Sequence, residues 1–210
     1  MKAFFAVLIA VLALVAGAVF ALRSPSAPEA SAPVKVTVAG VALTLDPRLA
    51  RTPADLASPA LEELDLVFAM PDFAPVGGKA RAYPLEKLVF LTLRRPDDRV
   101  EPRDKPARLY LRFLGAAVEA HPTGLILRRF EPGGPYDGEQ LYMTPPEGRA
   151  FWARCASATA GLPATCISEA RIGGLDARLR FAPELIGDWE RLSAGVARLV
   201  EGMGASSGRR

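Results

Sequence analysis

Cys155 and Cys166 are the two residues whose types and spacing point most directly to chemistry. They fall on two adjacent expected strands, joined by a loop containing Gly161 and Pro163. Outside the cytoplasm, cysteines placed this way form a disulfide. A closed loop of this size contributes on the order of 2–3 kcal/mol. A redox-active pair would call for Cys-x-x-Cys spacing at a helix start, which lowers a thiol pKa, and that spacing is missing here.

His121 is the single histidine, so any Ser-His-Asp or Cys-His arrangement must use it. It precedes Pro122 at an expected helix end, where a cation meets the C-terminal dipole favourably. One His and two Cys do not supply the three or four ligands of a His/Cys zinc site, and neither metal nor cofactor is expected. Gly-x-Ser-x-Gly elbows, phosphate loops and Rossmann glycine patterns are absent from the sequence. Gly133-Gly134, between Pro132 and Pro135, reads as a turn. The acidic pairs Glu62-Glu63 and Asp97-Asp98 have the residue types for glycoside hydrolysis, but residues adjacent in sequence read as solvated surface charges. Asp188, beside Trp189, reads as a surface acid. No catalytic residue is assigned.

Trp152, Trp189, Tyr136 and Tyr142 have the types to line a cleft, although their alternating or helical spacing suits a core. The loop Glu131 to Glu139 is the best candidate recognition surface, because loops on a rigid sheet often carry binding. Its contacting residues would be Glu131, Tyr136, Asp137 and Glu139, with Tyr136 as anchor. A long hairpin turn is the competing reading.

The elements that must position these residues follow from composition and pattern. The chain has 210 residues, 50% hydrophobic and 23% charged, enough for one packed domain plus appendages. Its formal charge falls from +3 to −1 once Lys2, Arg23, Arg209 and Arg210 are set aside. Acids and bases are interspersed in the remainder, as in Arg94-Arg95-Pro96-Asp97-Asp98-Arg99, and nucleic-acid binding is not expected.

Residues 3–22 are an uninterrupted apolar run. At about 1.5 Å per residue a helix of this length spans roughly 30 Å, the thickness of a bilayer core. Met1 and Lys2 keep the N-terminus in the cytoplasm, so residues 1–23 read as a transmembrane anchor of a bacterial inner membrane. A cleaved signal peptide is the alternative, with Ala16-Gly17-Ala18 as a cleavage pattern. Either reading exports the rest to the periplasm. Residues 24–33 are a Pro/Ala/Ser spacer.

Residues 34–202 form the exported domain. Val34, Val36, Val38, Val41, Leu43 and Leu45 share one face of a hairpin turning at Ala39-Gly40. Leu64 to Met70 alternates as a strand. Lys87 to Leu93 is apolar enough for a strand buried on both faces. Arg103 to Ala120 fits a helix capped by Asp104, with Leu109, Phe113 and Ala117 on one face; a strand through Leu109, Leu111 and Phe113 is the alternative. Strands follow at Leu125–Phe130, Gln140–Met143, Ala150–Ala156 and Thr165–Ile172. A hairpin at Gly173-Gly174 sets Arg171 against Asp176 and Glu169 against Arg178. Pro183 starts a helix to about Val200, and residues 203–210 are a disordered tail. The fold class is α+β, an antiparallel meander of hairpins covered by helices on one side and preceded by one transmembrane helix.

The hairpin Val36-Thr37-Val38-Ala39-Gly40-Val41, the run from Leu64-Asp65-Leu66 to Met70-Pro71-Asp72, the turn Pro163-Ala164-Thr165-Cys166 and the step Gly187-Asp188-Trp189 give the chain a family likeness. It resembles membrane-anchored exported proteins of alphaproteobacteria. The resemblance implies an exported, membrane-tethered domain and brings no activity with it. The expected role is non-enzymatic: binding or assembling a protein partner of the envelope. The alternatives are an exported hydrolase with an atypical carboxylate or tyrosine site, and a small-ligand or lipid-binding domain.

Overall fold

A computed structural model describes residues 32–205 of the chain. The expected anchor at residues 1–23, most of the spacer and residues 206–210 lie outside the described residues. Among the described residues no helix is long and apolar enough to cross a membrane.

Alternating valines and leucines build the first hairpin. β1 (Val34–Val38) and β2 (Val41–Leu45) pair in the register the pattern dictates: Val38 with Val41, Val36 with Leu43, Val34 with Leu45. Val36, Val38, Leu43 and Leu45 are buried. Ala39 takes φ 47° and Gly40 φ 91°, the left-handed pair that a two-residue turn requires. For Ala39 that conformation costs roughly 1–2 kcal/mol. β1 also pairs in parallel with β3 (Ala60–Leu61), so this small sheet stands apart from the main one.

The main sheet is formed by β4 (Glu63–Ala69), β5 (Ala74–Pro75), β6 (Leu88–Arg94), β7 (Glu119–Ala120), β8 (Ile126–Arg129), β9 (Glu139–Met143), β10 (Trp152–Ala156), β11 (Thr165–Ile172) and β12 (Leu175–Phe181). Its order is β5-β4-β6-β12-β11-β10-β9-β8-β7, and its pairings are antiparallel. From β7 to β12 it is a meander, as the turn spacing implies. The Gly173-Gly174 hairpin has the expected register, with both glycines at positive φ.

A 3-10 turn over Pro183–Asp188 leads into α1 (Trp189–Gly202). Leu192, Val196 and Val200 of α1 pack with Leu64, Leu91 and Leu179 in the same core as the β1–β2 face. The inner face of the main sheet is therefore covered jointly by one α-helix and the small sheet. The α+β class holds, but the cover is not helical alone.

Three expectations need correction. Residues 103–120 are not a helix: the segment runs through a 3-10 turn at Pro102–Asp104, a π turn at Pro106–Tyr110 and a 3-10 turn at Leu111–Phe113. The Asp104 carboxylate accepts from Arg149 at 2.8 Å instead of capping, and Tyr110 is held by the rings of Phe130, Tyr136 and Trp152. The buried residues are Lys105, Pro106, Tyr110 and Leu114, not the Leu109–Phe113–Ala117 face. Secondly, the tail is ordered further than expected. Met203 and Ala205 are buried, and the Met203 carbonyl accepts from the Thr44 N–H at 2.7 Å. Thirdly, β6 is buried along its whole length on one face only: Val89, Leu91 and Leu93 face the core, while on the other side Leu88 is buried and Phe90, Thr92 and Arg94 are half-buried.

Candidate functional site

Tyr136 of the expected recognition loop turns inward. Its ring lies 4.8 Å from Phe130, 5.3 Å from Tyr110 and 5.6 Å from Phe113, centroid to centroid. The Arg154 guanidinium sits 4.6 Å over it and pairs with Glu139 at 2.8 Å. Asp137 closes the loop on itself, accepting from the Gly133 N–H at 3.0 Å. Glu131 is exposed, and its own N–H donates to the Phe113 carbonyl. Tyr136, Asp137 and Glu139 thus serve the loop's own packing and closure.

Cys155 and Cys166 are directly opposite one another on β10 and β11 and form a disulfide. His121 follows β7 in a turn. Its Nδ1 lies 2.8 Å from the Thr123 hydroxyl and its ring packs edge-on to Tyr142; no carboxylate contacts it among the described residues. Trp152 is buried, donating to the Pro102 carbonyl at 2.8 Å. Trp189 donates to the Thr123 carbonyl at 3.1 Å and packs on Phe151. Glu62 pairs with Arg95 on the exposed surface, and Asp97 accepts from the Arg99 N–H. These groups do not converge on a reaction centre.

The outer face of the main sheet, away from α1, carries the more suggestive arrangement. Both its flanks are covered. Over β9 and β10, Tyr110 and Leu114 pack with Leu141, Met143 and Trp152. Over β4, Val76 packs with Val67, Ala69 and Leu88. Between these covers the middle strands stay open, and two cavities meet there. One, of about 280 Å³, is lined by Arg51, Glu63, Asp65, Thr92, Arg94 and Arg178 among others. The second, of about 570 Å³, is largely apolar and lies against the disulfide-closed loop, lined by Leu85, Leu88, Leu162, Pro163 and Ile167 among others. Phe90 and Arg180 line both, making one trough. Leu85 and Leu162 on its apolar lip are 60% and 68% exposed.

Charge along the trough is set by how the acids are used. Asp65 accepts from the Thr92 hydroxyl at 2.6 Å and lies 3.7 Å from Arg51. Glu169 on β11 is bound by Lys105, itself buried, and lies 3.6 Å from Arg94. The expected Glu169–Arg178 ion pair is therefore not made, although the two residues are register partners. Arg178 keeps a buried Nε without a hydrogen-bond partner, and neither Arg178 nor Arg180 pairs with a carboxylate among the described residues. The neighbouring Arg171–Asp176 pair does form, at 2.8 Å. Asp176, almost wholly buried, also accepts from the Asp97 N–H and holds Arg171 more firmly protonated than usual.

No protein-family model and no curated protein matches this chain. Two solved structures share its fold. An immunity protein of the Stenotrophomonas maltophilia type IV secretion system superposes with a TM-score of 0.61 at 16% identity, over 82% of this chain and 93% of that one. The iron-regulated outer membrane lipoprotein FrpD of Neisseria meningitidis superposes with a TM-score of 0.50 at 14% identity, over 83% of this chain and 93% of that one. At such identity the likeness is one of fold.

Sequence reasoning placed Arg178 only as the cross-strand partner of Glu169 and passed over Arg180, Lys105, Leu85 and Leu162. A signal for the two arginines was present. β12 alternates core residues Ala177, Leu179 and Phe181 with outward Arg178 and Arg180, and two like charges two residues apart share a face. Their freedom from acids was not legible, because Lys105 lies 64 residues from Glu169.

Proposed function

We propose that the protein is a non-enzymatic, membrane-tethered binding protein of the bacterial envelope. Residues 3–22 anchor it in the inner membrane, residues 24–33 space it from the lipid, and the domain engages another envelope protein in the periplasm. The observation that carries this reading is the trough. It is an open strip of sheet between two covered flanks, with two unneutralised arginines beside an exposed apolar lip. Exposed leucines next to free cations suit a protein contact, in which aromatic and Arg groups are enriched. The shared fold of a secretion-system immunity protein and an outer membrane lipoprotein supports an envelope-associated, non-catalytic role. The disulfide suits an oxidising compartment.

Crosslinking in intact membranes tests the proposal. Full-length protein is compared with a version lacking residues 1–23 and exported by another signal. A specific envelope partner, lost without the anchor, is the expected result. Turnover of a defined substrate by the purified protein, abolished by one substitution in the trough, would overturn it.

A further inference from the structure

The trough has a chemistry that specifies its occupant. Its two cavities adjoin at Phe90 and Arg180 and together cross β4, β6, β12, β11 and β10. Four steps between neighbouring strands, each about 4.8 Å, make a strip roughly 19 Å long, the span of about six extended residues at about 3.3 Å each. At one end the lining carries the guanidinium groups of Arg178 and Arg180, which pair with no carboxylate among the described residues, together with the exposed carboxylate of Glu63. Arg178 brings a buried Nε donor that nothing in the described residues satisfies, and an unsatisfied buried donor favours any ligand that supplies an acceptor. At the other end the free groups are apolar, with Leu162 and Leu85 standing on the rim.

We infer that the trough receives an extended polypeptide segment of the partner in which carboxylate side chains stand next to bulky apolar ones. The inference rests on the binding function proposed above and names the chemistry of the contact. Carboxylates match the forked donors of arginine bidentately. They replace Glu169, which stands opposite Arg178 in the sheet but is held away by Lys105. The apolar residues of the segment cover Phe90, Ile167 and Leu162. An open strip running across strands fits an extended chain; a lipid tail or small apolar ligand calls for a site that encloses it.

The test uses the full chain in nanodiscs and three fluorescent hexapeptides. One repeats Leu-Glu, one repeats Leu-Lys, and one repeats Ser-Glu. Anisotropy titrations are expected to show the Leu-Glu peptide binding at least about tenfold more tightly than either control, a difference of about 1.4 kcal/mol. Its affinity falls as salt rises. Arg180→Glu and Leu162→Asp, both at exposed positions without ion pairs among the described residues, each reduce it about tenfold with thermal unfolding unchanged. Arg178→Glu does the same where it folds. Arg180→Glu also improves binding of the Leu-Lys peptide.

Equal binding of the three peptides, or affinity untouched by Arg180→Glu and Leu162→Asp, overturns the inference. So does displacement of the Leu-Glu peptide by oleate at equal concentration, which assigns the trough to a lipid. Membrane crosslinking separates the two levels. A captured partner that still binds Arg180→Glu and Leu162→Asp removes the trough but leaves the binding function. The absence of any captured partner and any peptide binding removes both.

Discussion

Glu169 and Arg178 stand directly opposite each other on β11 and β12, and they do not form an ion pair. The Glu169 carboxylate is taken by Lys105, brought over the sheet by the turns that follow Pro102, with Arg94 at 3.6 Å. One lysine from a remote segment thereby frees an arginine on the open face. A pair that would have closed the surface electrostatically is exchanged for a buried one at its edge.

Lys105→Met should return Glu169 to Arg178 and make the trough less cationic. Removing one partner of a buried pair typically costs about 3–5 kcal/mol. Here the loss should fall below that range, because Arg94 and Arg178 remain within reach of the carboxylate. Urea unfolding measures the loss. The double variant Lys105→Met/Glu169→Leu should be at least as stable as the single one, since it removes the buried carboxylate together with its lysine.

The disulfide closes the loop that carries Leu162. Replacing both cysteines, Cys155→Ala with Cys166→Ala, should lower the unfolding free energy by about 2–3 kcal/mol through loss of the chain constraint. The wild-type protein in reductant should match the double variant. A urea midpoint indifferent to reductant would contradict a stabilising role.

Gly195 of α1 meets Phe73 of the turn after β4. A Cβ there would lie 1.9 Å from the Phe73 ring, which is itself stacked on Phe68 at 5.1 Å. Alanine favours a helix over glycine by about 1 kcal/mol, but overpacking of this kind costs typically about 1–3 kcal/mol. Gly195→Ala should therefore destabilise the domain in thermal unfolding. Adding Phe73→Leu should recover part of the loss.

Burial pushes the Tyr110 phenol above its usual pKa, partly offset by the Arg154 charge. The folded state then holds its proton in a pH range where the unfolded chain has lost it. Tyr110 thus contributes stability that is complete below the unfolded value of about 10 and declines as pH rises from there toward the folded value. Tyr110→Phe should leave stability near neutral pH almost unchanged, since the hydroxyl makes no hydrogen bond among the described residues. It should reduce the fall in stability at alkaline pH. Chemical denaturation of both proteins across that range gives the comparison.

Local pattern made much of the sheet legible. Val36, Val38, Leu43 and Leu45 alternate without interruption, and a slip of one residue would turn them all to solvent, so the β1–β2 register had one acceptable answer. Gly173-Gly174 supplied the positive φ values of the β11–β12 turn, and that register followed as well. The helix forecast at 103–120 failed for a reason that is not local. The alanines and apolar spacing favour a helix, and the tertiary contacts of Tyr110 and Trp152 settled the outcome in favour of short turns. In the same way, the place of Tyr136 in a loop on a rigid sheet suggests a recognition anchor and its spacing suits a core, and three aromatic rings and Arg154 draw it inward.

By itself the sequence determined the longer strands, the two hairpin registers and the partner of each cysteine. Those depend on alternation, turn residues and neighbours close along the chain. Tertiary structure alone decided which outward residues stay uncovered and which charges stay unpaired. Both depend on segments far apart in sequence meeting over one sheet face: Val76 and Tyr110 cover its flanks, and Lys105 takes the acid that Arg178 would otherwise hold.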